Sequence, residues 1–209
     1  MVINKYKMVG SAFLAFGLLG NVAYGSGNEN SDGVHADSSQ RSLWEDLRSA
    51  LELAEDLDGY IEVARCMRKG IDFTLRSRNG ETLLFFSSCP ATVLMLVSHG
   101  ELDLDAQDEE ENTALHLFVR VFLECLLDTL GAGREEIEVL LGAGANPLVR
   151  NGDDETVLQI VRRWIDEEEA LPMEARNSNS KAAIRKAKAL AQRLERAEGE
   201  WRKAHRDDA

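Results

Sequence analysis

The chain has few of the residues and none of the common motifs that form catalytic or metal sites. It contains only three cysteines and four histidines, and no two cysteines have the Cys-x-x-Cys spacing of zinc or thioredoxin-type sites. The His-Glu-x-x-His, Gly-x-Ser-x-Gly, P-loop and dinucleotide-binding glycine motifs are also missing from the sequence. We therefore predict that the protein is not an enzyme and that it uses no cofactor and no metal ion.

Basic residues are scarce. The sequence has 24 Lys and Arg against 37 Asp and Glu, which gives a formal net charge of −13. Because proteins that bind nucleic acid present basic patches to the phosphates, the charge argues against a nucleic-acid partner. It favours a basic protein partner and salt-sensitive association, although the same charge also serves solubility alone. The last segment differs, since residues 181–209 carry nine basic and five acidic side chains.

Long apolar runs are limited to the first 25 residues. Lys5 and Lys7 precede a mostly apolar run over residues 8–22, and Ala23-Tyr24-Gly25 then places small residues where a signal peptidase cleaves. Fifteen residues are short for a membrane span, which needs about 20. We predict a signal peptide over 1–25, with an uncleaved anchor as the alternative, and no stable membrane insertion after cleavage. A polar, Gly- and Ser-rich flexible linker is predicted over 26–41.

Alternating strand patterns are short, and a helical pattern occurs three times instead. Each copy has a helix tail that ends in Gly, a polar turn, and a Thr that begins the next helix. The Gly-to-Thr spacing is 12, 13 and 12 residues. The pairs are Gly70 and Thr82, Gly100 and Thr113, and Gly144 and Thr156. Spacing of this kind is typical of stacked helical repeats, so we predict an all-α fold.

The repeated segments resemble the ankyrin repeat, in which Gly-Ala-Asp, an Asn-Gly or Asp-Gly turn and Thr-Pro-Leu-His recur with a period of about 33 residues. The segment from Gly144 through Ala145-Asn146-Pro147 is the most similar, and His116 stands at the family's His position. The three Thr residues are 31 and 43 positions apart, so one unit carries an insertion. The resemblance implies a solenoid of about four helix-turn-helix units over 42–170, a structural His116, and a surface that binds a protein.

The same pattern predicts where the helices begin and end. A capping box at Ser42 and Glu45 starts the first helix, and Asp58-Gly59 turns the chain toward a second helix over 60–69. The third unit has a long helix over 114–130 that is apolar on nearly every face. Either other helices cover its extension, or it offers an exposed apolar patch to a partner. Residues 171–209 are predicted to form a loop and a helix from Ser180 that caps the stack.

The three cysteines leave the disulfide state open. In an oxidising compartment an odd number leaves at least one thiol without an intrachain partner. A disulfide between Cys66 and Cys89 is one possibility. The alternative is that Cys66 and Cys125 are buried as free thiols among apolar neighbours.

These features predict an exported protein-protein interaction module of the periplasm or the exterior of a bacterium. A specific form is an immunity-type inhibitor of a toxic enzyme that acts in the periplasm, and the alternative is a secreted effector that binds host proteins. In either case the resemblance implies that the turn tips contact the partner. The candidate residues are Arg76, Arg78, Asn79, Glu109, Glu110, Asn151, Asp153 and Asp154.

Overall fold

The computed structural model describes residues 38–54, 57–87, 89–100, 102–127, 133–172 and 178–206. The predicted signal peptide and most of the predicted linker lie outside these residues. Among the helices that are described, none is both long enough and apolar enough to cross a membrane.

The described residues contain seven α-helices, one 3-10 helix and no strand, which confirms the predicted all-α class. The helices are α1 (Ser38–Leu53), α2 (Leu57–Met67), α3 (Pro90–Ser98), α4 (Ala114–Leu127), α5 (Arg134–Gly142), α6 (Val157–Ala170) and α7 (Ser178–Ala204), with the 3-10 helix Leu83–Phe86 before α3.

The helices pack as successive pairs in two rows. Each pair joins a member of one row to a member of the other: α1 with α2, the 3-10 helix with α3, α4 with α5, and α6 with α7. Along the first row α1, the 3-10 helix, α4 and α6 pack in that order, and along the second row α2 packs on α3 and α3 on α5. The turns that precede the 3-10 helix, α4 and α6 therefore lie side by side along one edge of the first row, at the N-terminal ends of its helices.

A single apolar core runs between the two rows. Trp44 of α1 is fully buried in it, and its indole N–H donates a hydrogen bond of 3.1 Å to the carbonyl oxygen of Leu75. A buried indole needs such a partner, because an unpaired N–H would lose its bond to water without replacement. The core thus also fixes the chain segment that leads into the first turn.

The first helix begins four residues earlier than its capping box predicts, at Ser38 rather than Ser42. Long-range side-chain bonds hold the added turn. The Gln40 side chain bonds both the carbonyl oxygen of Gly70 (3.2 Å) and the amide of Asp72 (2.9 Å). The predicted linker over 26–41 is therefore wrong at its C-terminal end, because tertiary contacts order residues that local composition would leave unstructured.

The predicted turn at Asp58-Gly59 is also wrong, since both residues lie inside α2. A Cβ at Gly59 would approach the Cα of Ala54 to 2.8 Å. Glycine at this position therefore allows the close approach of α2 to the end of α1, and not a change of chain direction.

Other helices cover the described part of the long third-unit helix. Phe122, Leu123 and Leu126 are each less than 5% exposed, and α7 packs against α4. Of the two alternatives for this helix, the covered one is confirmed over the part that ends at Leu126. Residues 128–130 of the predicted helix lie outside the described residues.

Only one of the three repeated threonines departs from the predicted capping role. Thr156 accepts a bond from the Gln159 amide in a capping box, and the Thr113 hydroxyl accepts from the His116 amide (3.4 Å) and also bonds Nδ1 of that ring. The Thr82 hydroxyl is buried and has no hydrogen-bond partner. The chain after Thr82 forms a 3-10 turn, and Phe85, which stands where His116 and Gln159 stand in the later units, offers no polar side chain.

This difference predicts opposite results for the same substitution at two equivalent sites. Thr82→Val keeps the shape and removes a buried hydroxyl without a partner, so we expect stability to stay constant or to rise by up to about 1 kcal/mol. Thr113→Val breaks the bond to His116 and should cost about 1–2 kcal/mol. Urea unfolding of both variants measures this, and equal losses at the two sites would contradict the assignment.

Candidate functional site

Three five-residue turns repeat the same hydrogen-bond pattern. They comprise residues 77–81, 108–112 and 151–155, and together we call them the turn ridge. In each turn the amide of the first residue donates to the carbonyl oxygen of the fifth, at 2.9, 3.0 and 3.1 Å. The first side chain accepts bonds from the third and fifth amides. These first residues are Ser77, Asp108 and Asn151.

The fourth residue of each turn has a positive φ. Gly80 has φ of 78°, and Glu111 and Asp154 have φ of 60°. The left-handed region favours glycine, so the two acidic residues are held there by the bonds around them. The three turns are offset by 31 and 43 residues, which confirms the register that the threonine spacing predicts.

Backbone bonds join neighbouring turns. The amide of Glu109 donates to the carbonyl oxygen of Asn79 at 2.8 Å, and that of Gly152 donates to Glu110 at 3.0 Å. A Cβ at Gly152 would come within 2.8 Å of the same Glu110 oxygen, so only glycine permits this approach. The turn ridge is therefore one connected strip, in which each turn fixes the position of the next.

A buried histidine ties the second turn to the third. Nδ1 of His116 lies 2.8 Å from the Thr113 hydroxyl and accepts from the Thr113 amide, while Nε2 lies 3.2 Å from the carbonyl oxygen of Glu155. Because Nδ1 accepts, Nε2 carries the proton and donates it to Glu155. Burial lowers the pKa of His116 from its ordinary value of 6.5. The ring is thus neutral and structural, as its position in the resemblance implies.

We expect His116 to make stability depend on pH. Its pKa in the folded protein lies below that in the unfolded chain, so the unfolded chain binds more protons as the pH falls below about 6.5 and the folded state loses stability. His116→Gln, which copies Gln159 of the next unit, should remove this loss. The difference in unfolding free energy between the two proteins, measured from pH 7.5 to 5, should change by at most about 1.4 kcal/mol per pH unit. Parallel curves would contradict the prediction.

Most of the predicted partner-binding residues lie exposed on the turn ridge. The exposed ones are Arg78, Asn79, Glu109, Glu110, Asp153 and Asp154. The other two predicted residues are not among the exposed ones. Asn151 is only 8% exposed, and its side chain bonds the turn amides and the Asn112 side chain. Arg76 is half-buried and donates to the carbonyl oxygen of Gln107 (3.2 Å), which links the two segments that enter the first and second turns.

One member of this surface is absent from the predicted set. Glu111 is exposed at the fourth position of the second turn, equivalent to Gly80 and Asp154. Aligning the turns by their first residue would have found it. The exposed part of the turn ridge therefore carries five carboxylates, from Glu109, Glu110, Glu111, Asp153 and Asp154, and one cation, Arg78. Arg150, directly before the third turn, pairs with Asp154 at 3.3 Å, so four of the carboxylates lack this compensation.

Acidic groups also lie beneath this surface. The Glu81 carboxylate is half-buried and accepts a bond of 2.7 Å from the Ser77 hydroxyl. Burial raises its pKa, and the nearby carboxylates of Asp108 and Glu110 act in the same direction. Burial likewise raises the pKa of Asp105, which accepts a bond of 2.7 Å from the Asn146 amide. The field at the turn ridge is therefore negative and attracts cationic groups.

The described residues form neither a metal site nor a disulfide. Within these ranges no group of three or more His, Cys, Asp or Glu side chains is arranged to hold a metal ion. Cys66, Cys89 and Cys125 all lie in the described part of the chain and are not joined by a disulfide, so the possible Cys66–Cys89 bridge is not formed. Burial raises the pKa of Cys66, which keeps that thiol protonated and unreactive at neutral pH.

No model of a known protein family matches the chain, and no curated protein is significantly similar to it.

Proposed function

We propose that the protein is an exported, ankyrin-type interaction module whose turn ridge binds a basic protein. The observation that carries the proposal is the row of exposed carboxylates on turns that hydrogen bonds hold in fixed positions. A surface whose backbone is already ordered loses little conformational entropy when a partner binds. Opposite charge then adds rapid association and specificity.

The ankyrin part of the proposal is supported by the equivalence of the turns. Each follows a helix that ends in a glycine of positive φ, with values of 72°, 78° and 96° at Gly70, Gly100 and Gly144. Each precedes a threonine, and His116 bonds across to the next turn, at Glu155. This is the pattern of one structural unit repeated along the chain, with successive units stacked on each other.

The partner that we propose is a basic toxic enzyme that the protein inhibits in the periplasm. Two features support this choice: the predicted signal peptide over 1–25 and the negative field of the turn ridge. An acidic inhibitor that lies over the cationic substrate site of an enzyme would block it without any chemistry of its own. The association should weaken as salt increases, because the Debye length falls from about 10 Å at 0.1 M to 3 Å at 1 M.

A pull-down of the protein from periplasmic extract of its own cells, at low and high salt, tests this proposal. We expect one stoichiometric basic protein that is retained at low salt, released at high salt, and inactive as an enzyme in the complex. The absence of any such partner would overturn the inhibitor assignment. Recovery of the protein from culture medium instead of the periplasm would favour a secreted effector that binds host proteins.

A further inference from the structure

A groove lies at the end of the second row of helices, between α5 and α7. Helix α3 packs closely on α5, but α7 packs on α6 and α4 instead of following α5. Two adjoining cavities of about 190 and 250 Å³ lie between α5 and α7 and share Arg193. None of the residues that line this groove belongs to the turn ridge.

One end of the groove is basic. Arg134 of α5 and Lys186 and Arg193 of α7 line it together with Glu138. Nε of Arg193 donates to the Glu138 carboxylate at 2.9 Å, so these two charges compensate each other. Arg134 and Lys186 are exposed, and neither forms an ion pair with any other residue that the structure describes. Two cations therefore remain uncompensated on a chain whose net charge is −13.

The other end of the groove is mainly apolar. Leu141, Pro147 and Trp201 line it, and the Trp201 ring stacks on His205 with a centroid distance of 4.0 Å. Trp201 is half-exposed here, although the helical pattern of α7 places it on the face that packs against the rest of the protein. A half-exposed tryptophan beside an open cavity is typical of an anchor point for a partner side chain.

The length and the walls of the groove define what it can hold. Lys186 and Trp201 are 15 residues apart on α7, which is about 22 Å at 1.5 Å per residue. One wall is α7, and the other is α5 together with the turn that follows it. The amides of Gly144 and Ala145 in this turn donate to the carbonyl oxygens of Leu141 and Leu140, and Pro147 has no amide hydrogen. A partner therefore finds no free row of backbone donors to pair with as an added strand. A helix of similar length satisfies its own backbone and can contact both ends through side chains.

We propose that this groove binds an amphipathic helix of another protein. Its carboxylates lie beside Arg134 and Lys186, and an aromatic or large aliphatic side chain inserts next to Trp201. Charge complementarity selects the acidic partner. The surface is separate from the turn ridge and takes the opposite charge, so the protein can hold a basic partner and an acidic helix at the same time.

A display library of 16-residue helical peptides, with a fixed apolar stripe and with Glu, Gln or Lys at the other positions, tests this proposal. We expect the selected peptides to share Glu at one end and to prefer an aromatic residue at the other. Lys186→Glu and Arg134→Glu should each weaken their binding at least about tenfold. Arg68→Glu, the same charge change directly after α2 at the far end of the row, should not.

Two further variants show whether the peptides occupy the groove itself. Ala204→Arg places a long side chain at the exposed rim of the apolar end and should also weaken the peptides about tenfold. Reversing the charges of Glu109 and Glu110 on the turn ridge should leave peptide binding unchanged. Failure to select any peptide, or selected peptides that bind the Lys186, Arg134 and Ala204 variants as tightly as the original protein, would overturn the proposal.

Discussion

Gly133→Ala should destabilise the protein by about 2–5 kcal/mol for two reasons. Alanine disfavours the left-handed backbone conformation at this position, and its Cβ has no space there. Gly133 precedes α5 with φ of 91°. A Cβ there would lie 2.9 Å from the carbonyl oxygen of Phe118 and 2.9 Å from the amide nitrogen of Phe122. Both atoms belong to the backbone of α4, which cannot move aside in the way that the end of a flexible side chain can. The start of α5 would have to move away from α4.

Gly142 provides the matched control for this prediction. It lies in the last turn of the same helix, and a Cβ there would meet no atom within 4 Å. Gly142→Ala should therefore stabilise the protein by up to about 1 kcal/mol, since alanine loses less conformational entropy in a helix. Thermal unfolding followed by circular dichroism measures both, with a decrease of roughly 10 °C expected for Gly133→Ala. Equal melting temperatures for the two variants would contradict this packing of α5 on α4.

Asn151→Ala should cost about 2–3 kcal/mol, although the residue lies in a surface turn. Its side chain accepts from the amides of Asp153 at 3.1 Å and Glu155 at 3.0 Å, and alanine would leave both without that partner. Asn151→Asp keeps the accepting oxygen, as Asp108 does in the preceding turn, and should lose less than half as much. Asp153→Ala removes an exposed side chain of the same turn and should change stability by at most about 0.5 kcal/mol.

Urea unfolding of these three variants distinguishes a structural role for Asn151 from a role in partner binding. If Asn151→Ala were as stable as the original protein, the bonds within the turn would contribute little. The turn ridge could not then be a surface that is ordered before the partner binds.

The turns could be predicted from the sequence because their chemistry is local. A glycine after an apolar helix, a side chain that accepts backbone bonds and a threonine before the next helix are all recognisable at fixed spacing. The burial of Asn151 could not be predicted in this way. It depends on Asn112, which is 39 positions away in the sequence and is brought near by the stacking of the two turns.

Other differences have the same origin. The start of α1 at Ser38 depends on bonds from Gln40 to residues about 30 positions later. The groove between α5 and α7 depends on the path that α7 takes across α4 and α6, and no periodicity within α7 specifies that path. The pattern of α7 does predict which of its residues are buried. Of its apolar residues at steps of three and four, Trp201 alone is half-exposed, beside the groove, and the others are buried: Ile184, Ala187, Leu190, Ala191, Leu194 and Ala197.

The decisive measurement is the affinity of the retained partner for a protein whose turn ridge has reversed charge. The variant combines E109K, E110K, D153K and D154K, all of them exposed carboxylates in the original protein. A control variant combines D58K, E124K, E135K and D166K, which are exposed carboxylates on the helices, so that the net charge is the same. We predict that the turn-ridge variant binds at least about 100-fold more weakly at low salt and that the control binds within about tenfold of the original protein. Equal affinities of the two variants would overturn the proposed function, because net charge and not the turn ridge would then determine binding.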